Sequence, residues 1–330
     1  MPLPHRPLAR PIAGLAIAAL VLGLAVVALQ FTSPARAATS SCADPITSAP
    51  TGPATVSAKS TKYGKVLAVG SGAYAGCSLY LLTSDQLHAI NGADFACSNG
   101  PNPIGLACDT ILWPALLTSG KPIAGPGVNP TLLGTVTRDD LGLGTVQQVT
   151  YNGMPLYRFF LDEEADETEG ANLFDPVTSP TGTWYLVDPS RGQAATGTAQ
   201  IDVETAPVAG GSEATVLAAR MNNDFSLFQN ATFPVYTLSP DTHKSACQGA
   251  CAAVYWPPVL TSGRPEAGPG VDQNALGIIV RPDGTHQVTY NGKPLYLFEG
   301  DAYISVLGGT ASINGAGAST PFGFFDTITP

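Results

Sequence analysis

The decapeptide QVTYNGMPLY at 148–157 is written again as QVTYNGKPLY at 287–296, with nine of ten letters kept. A chain that repeats so long a string is set to fold one unit twice. The string also dictates its own geometry. Asn152-Gly153 and Asn291-Gly292 supply the two positive-φ residues of a type I′ turn. Such a turn pairs Tyr151 with Met154, Thr150 with Pro155 and Val149 with Leu156. Alternation then puts Val149, Tyr151, Met154 and Leu156 on one face and Gln148, Thr150, Pro155 and Tyr157 on the other. Thr150 and Pro155 form the non-hydrogen-bonded pair, so the hairpin does not need the missing proline N–H. The strand carrying Pro155 should be an edge, or bulged there. The same arithmetic holds for Tyr290, Lys293, Pro294 and Tyr296 in the second copy.

The repeat extends beyond the hairpin. WPALLTSGKPIAGPGV (113–128) aligns with WPPVLTSGRPEAGPGV (256–271), and LGTVTR (133–138) with LGIIVR (276–281). Between these and the decapeptide, DDLGLGTV shortens to PDGT, a deletion in a loop. YLLTSD (80–85) matches YTLSPD (236–241), GTWYLVDP (182–189) matches GFFDTITP (323–330) loosely, and ATVSAK (54–59) is paired with ATVLAA (214–219). Residues 190–212 are small and polar and read as a linker. The expected layout is a leader at 38–52, one repeat at 53–189, the linker, and a second repeat at 213–330. Short β-branched and aromatic runs between turn residues predict a mainly β fold: two tandem antiparallel β-rich repeats. Each would carry a short helical or looped insert holding cysteines.

Residues 1–37 read as a secretory signal peptide. His5, Arg6 and Arg10 precede an uncharged apolar run from Ile12 to Leu29, and Ala35-Arg36-Ala37 is an A-x-A cleavage site. Retention of the run as a membrane anchor is the rival reading. Cleavage takes the basic count from 15 to 12 against 25 acids, a formal charge of −13. That balance argues against nucleic acid and anionic membrane surfaces as partners. No later segment is long and apolar enough to span a membrane as a helix, and the composition names no partner.

Tyr236 to Asp241, Cys247-Gln248-Gly249-Ala250-Cys251, Trp256-Pro257-Pro258 and GTHQVTYNGKPLY occur in one order. This order resembles a bacterial secreted-repeat family described as predicted lipoproteins with a Yx(F/W/Y)xxD motif. The resemblance implies export, tandem copies and a possible place in the cell envelope. It implies no established activity, so no catalytic residue is carried over. The chain departs from the pattern at Leu82 and Leu238, which replace the aromatic of the motif. TSSC before Cys42 is not a lipobox, which argues against lipidation, and the first copy widens Cys-x3-Cys to Cys97-x10-Cys108.

All six cysteines follow the signal, and an even count in an exported chain points to disulfides. Cys108 and Cys251 align through the following Trp-Pro, making Cys97 and Cys247 equivalent. The expected pairs are Cys97–Cys108 and Cys247–Cys251, with Cys42–Cys77 left by elimination. The rival is a copper or zinc site, or a redox pair, at His243, Cys247 and Cys251, which recur every four residues beside Asp241. The first copy has no matching histidine.

Other recurring residues are Tyr80 and Tyr236, Asp85 and Asp241, Trp113 and Trp256, Tyr157 and Tyr296, Tyr151 and Tyr290, and Arg138 and Arg281. The aromatics could line a carbohydrate or peptide groove, but packing explains them first. The arginines are expected to pair with Asp85 or Asp241. The acid run 162–170 reads as a solvated loop rather than a calcium site. No G-x-S-x-G, H-E-x-x-H or P-loop occurs. The reading is a secreted, non-enzymatic two-repeat binding or cell-envelope module with no cofactor. Its alternative is an extracytoplasmic metal-binding or electron-transfer protein.

Overall fold

The computed structural model describes residues 40–100, 105–174, 182–208, 211–220, 231–301 and 311–330. The signal-peptide expectation at 1–37 lies outside the described residues. The chain from Ser40 onward forms one compact unit.

The first repeat runs β1 (Thr55–Thr61), β2 (Gly64–Val69), β3 (Tyr80–Leu82), a 3₁₀ turn (Thr83–Asp85), α1 (Gln86–Asn91) and a π-helical turn (Cys108–Leu112). It continues with β4 (Leu117–Thr118), β5 (Ile123–Ala124), β6 (Leu133–Arg138), β7 (Val146–Tyr151), β8 (Met154–Pro155), β9 (Leu173–Phe174), β10 (Thr183–Val187) and β11 (Ala194–Ala195). The second runs β12 (Gln200–Pro207), β13 (Glu213–Arg220), β14 (Thr232–Pro234), β15 (Tyr236–Leu238) and a π-helical turn (Cys251–Tyr255). Then follow β16 (Glu266–Ala267), β17 (Leu276–Val280), β18 (His286–Tyr290), β19 (Lys293–Pro294), β20 (Ala318–Thr320) and β21 (Gly323–Thr327). The fold is mainly β, built from several small sheets, as expected.

The two copies share one topology. In the first, β1 pairs antiparallel with β2 and parallel with β5, β6 with β7, β7 with β8, and β10 with β3. In the second, β12 takes the place of β1, β13 that of β2, and β16 that of β5. The pairs β17–β18, β18–β19 and β15–β21 complete the correspondence. This corrects two expectations. Residues 190–212 are not a linker, because β12 inside them is the first strand of the second repeat. The counterpart of 54–59 is therefore 199–204, not 214–219. Ala54 and Ala199 make this concrete: each donates its N–H to the hydroxyl of a repeat-matched threonine, Thr118 and Thr261.

Both hairpins have the geometry the sequence dictates. Asn152 and Gly153 have φ of 51° and 80°, and Asn291 and Gly292 have 49° and 76°. Thr150 faces Pro155 and Thr289 faces Pro294. Beyond the proline the strands part. Leu156 still donates to Val149 O, but Leu116 wedges alongside, donating to Leu156 O and accepting from Val149 N. Val259 does the same between Val288 and Leu295. The proline thus ends the two-stranded ladder where a third strand enters.

The cores of the two copies interlock. Phe174, from the first repeat, is buried in the apolar cluster of the second and meets Phe233 edge-on at 5.1 Å. Leu260, from the second, packs against a cluster of the first. The leader is not loose where it is described. Cys42 is buried and bonded to Cys77, and Ile46 packs on the first core.

Candidate functional site

Each repeat encloses a polar network hung from the decapeptide. In the first, the Tyr157 hydroxyl donates to Asp85 Oδ2 at 2.6 Å, and Asp85 Oδ1 accepts from Ala96 N at 2.8 Å. Gln148 Nε2 donates to Leu156 O at 3.0 Å, in the split behind Pro155, and Gln148 Oε1 accepts from Arg138 Nη1 at 2.6 Å. In the second, Tyr296 donates to Asp241, Asp241 accepts from Ala246 N at 2.8 Å, and Gln287 bridges Leu295 O and Arg281 at 2.8 and 2.6 Å. A second pair lies deeper: Tyr80 to Asp162 at 2.6 Å, and Tyr236 to Asp301 at 2.9 Å. Desolvation by burial pushes Asp162 and Asp301 up to about 7. The same cause raises the tyrosines, so these hydroxyls stay protonated donors.

The motif tyrosines are core residues, the role packing gives them first. Tyr80, Tyr151, Tyr157, Tyr236 and Tyr296 have no exposed surface, and Tyr290 is buried. Trp113 stacks on Trp184 at 3.7 Å, and Trp256 stacks on Phe325 at the same distance. A Cβ on Gly170 or Gly315 would sit 2.7 or 2.8 Å from these tryptophan rings, so each glycine is required by close approach. The aromatic-groove reading therefore fails for these residues: they pack, and they do not face a ligand. Asp162 is not solvated either. It is the enclosed partner of Tyr80, while Glu163, Glu164 and Asp166 of the same run are exposed.

Arg138 does not pair directly with Asp85. Its carboxylate partners are Asp109 at 2.8 Å and Asp140 at 2.7 Å, and it reaches the Asp85 system through the Tyr157 hydroxyl at 3.4 Å. Sequence reasoning missed Gln148, Gln287, Asp109 and Asp162. The signal for the glutamines was their position inside a duplicated string, on the face shared with Tyr157 and Tyr296.

The three disulfides join Cys42 to Cys77, Cys97 to Cys108 and Cys247 to Cys251, the pairs read from the sequence. The latter two do more than close loops. They hold Cys97 O and Cys247 O where Arg138 and Arg281 donate to them, at 2.9 and 3.2 Å. With both sulfurs in a disulfide, Cys247 and Cys251 offer no thiolate to copper or zinc, and His243 is exposed beside the Asn291-Gly292 turn. Among the described residues no group of three His, Cys, Asp or Glu is placed to hold a metal ion.

Between the repeats lies a cleft of about 550 Å³. The first repeat supplies Leu81, Thr83, Met154, Tyr185 and Gln193; the second supplies Gln248, Ala252, Leu260 and Arg281. Thr83 Oγ1 donates to Ala253 O at 3.1 Å across its floor, and Gln193 donates to Asp283 O at its rim. Burial pushes the Tyr185 hydroxyl up to about 12.

Fold and site define a disulfide-stapled, duplicated β protein with buried Tyr–Asp pairs and a cleft shared by the copies. Residues 134–177 and 277–306 match the family model described as a secreted repeat of unknown function, one stretch in each copy. Both matches include a decapeptide. No curated protein matches the chain. No solved structure matches it. The family's description as secreted agrees with three disulfides in placing the chain outside the cytoplasm. No helix among the described residues is long and apolar enough to cross a membrane.

Proposed function

We propose that the chain is a non-enzymatic binding module of the bacterial cell envelope whose ligand occupies the cleft between its repeats. The observation that carries this reading is the cleft, whose volume of about 550 Å³ falls in the range of small-molecule sites, roughly 300–1,000 Å³. Apolar residues such as Leu81, Met154 and Leu260 alternate there with polar ones such as Gln193, Gln248 and Arg281, a mixed lining that suits binding. The buried carboxylates support a scaffold role, since Asp85, Asp162, Asp241 and Asp301 are all enclosed and hydrogen-bonded. The test is a small-molecule screen on the ¹⁵N-labelled mature protein. Compounds that bind should shift the amides of Gly153, Gly249 and Ala253, which line the cleft, and should be recovered unchanged. Shifts confined to other residues sink the cleft as the site; recovered products sink the non-enzymatic reading.

A further inference from the structure

The two buried arginines are equivalent in sequence but not in charge balance. Arg138 is held by two carboxylates. Its Nε and Nη2 donate to Asp140 at 2.7 Å each, and Nη2 donates also to Asp109 at 2.8 Å. Arg281 keeps only neutral partners: Gln287 at 2.6 Å, Ser245 at 3.0 Å, Gln248 at 3.0 Å and Cys247 O at 3.2 Å. One acid is absent and the other is turned away. Ala252 stands at the position of Asp109, one residue into the matching π-helical turn. The shortened loop turns Asp283, the counterpart of Asp140, back onto Thr285, whose N–H and hydroxyl it accepts at 2.9 and 2.6 Å. Among the described residues no carboxylate oxygen lies within ion-pair distance of Arg281. The residue is 5% exposed, and its Nε has no hydrogen-bond partner.

A buried guanidinium with no carboxylate hydrogen-bonded to it is costly, and its unpartnered Nε–H suits a carboxylate oxygen. Arg281, Ala252 and Asp283 all line the cleft between the repeats, so the place that Ala252 leaves beside Arg281 opens into it. We infer that the cleft binds a small molecule bearing a carboxylate, one oxygen of which accepts from Arg281 Nε as Asp140 does from Arg138 Nε. The apolar body of the molecule lies against Leu81, Met154, Pro258 and Leu260, which also line the cleft. The other ionisable groups around Arg281 are already engaged. Asp283 is held by Thr285, Asp241 by Tyr296 and Ala246 N, and Tyr185 is neutral. This inference rests on the cleft being a binding site and adds the chemistry of its occupant.

The test uses the full disulfide-bonded mature chain, ¹⁵N-labelled, titrated with propionate and benzoate and, in parallel, with propionamide and benzamide. The acids should shift the Arg281 Nε–Hε signal and the Gly249 and Ala253 amides saturably, with the amides binding at least ten-fold more weakly. Ala252→Asp, which restores the first repeat's acid, should abolish the response to acids. Equal binding of acids and amides overturns the inference while leaving the cleft as a binding site. Undiminished acid binding by A252D overturns the inference too. No response to either class, on a wild-type protein that needs no variant to fold, overturns both readings.

Discussion

At Arg138 the chain supplies its own counter-charges; at Arg281 it supplies amides, a hydroxyl and a carbonyl. The rest of each network is the same: the glutamine of the decapeptide, the tyrosine two residues past its proline, and the aspartate that closes the Yx4D motif. The difference teaches how a duplicated unit divides labour. One copy keeps a closed ion network and is committed to stability. The other has lost one acid, turned the second away, and gained open space beside a cation that hydrogen-bonds to no carboxylate, the pattern expected where local consistency yields to binding.

The largest expected effect breaks this comparison directly. Arg138→Met strands Asp109 in the core and should cost about 3–5 kcal/mol. Arg281→Met strands no carboxylate and should cost only about 1–3 kcal/mol for the acceptors it leaves. Chemical denaturation of both variants decides, and equal losses would remove the asymmetry. The disulfides give a smaller contrast. Their sequence separations are 11 for Cys97–Cys108 and 4 for Cys247–Cys251. Loop-closure entropy makes them worth about 3 and about 2 kcal/mol, so the Cys→Ala pair in the first repeat should lower Tm more. The reverse order would point to native strain or to residual structure in the unfolded chain.

Two further measurements test the symmetry that remains. Asp162 and Asp301, pushed up to about 7 by burial, hold protons that an unfolded carboxyl releases near pH 4. Between about pH 4 and 7 the native state binds more protons, so stability contributed by these groups falls as pH rises through that window. Asp162→Asn and Asp301→Asn should each flatten the decline of Tm across it, by similar amounts. An unchanged slope in either variant removes that residue as a source. The smallest effect is at the turns. Asn152→Ala and Asn291→Ala place alanine at positive φ and should each cost about 1–2 kcal/mol or less. Unequal losses would show that the exposed tips are not equivalent.

The hairpins were legible because everything they need is local. Asn-Gly fixes the turn, alternation fixes the faces, and the proline marks where the ladder ends. The matching of Trp184 with Phe325 was legible only loosely, since size is kept and identity is not. The networks were less legible. That Arg138 meets Asp109 and Asp140 rather than Asp85 depends on where a π-helical turn and a strand end come together, which no short window encodes. Residues 190–212 were misread because small polar flanks hide the alternation Ile201, Val203, Thr205, which is a strand signal on closer inspection. Asp162 was hidden by its company: five other acids around it look like a solvated run, and only burial separates it from them.

The exchange of Phe174 and Leu260 between the repeats also bears on how the cleft can work. Parting its walls would pull Phe174 off Phe233 and expose Leu260, so the fold denies the cleft a hinge. An occupant must fit a preformed slot, and selection rests on shape and charge rather than on closure. Excising either repeat would uncover the same apolar side chains, so the pair should unfold as one cooperative body although it is written as two.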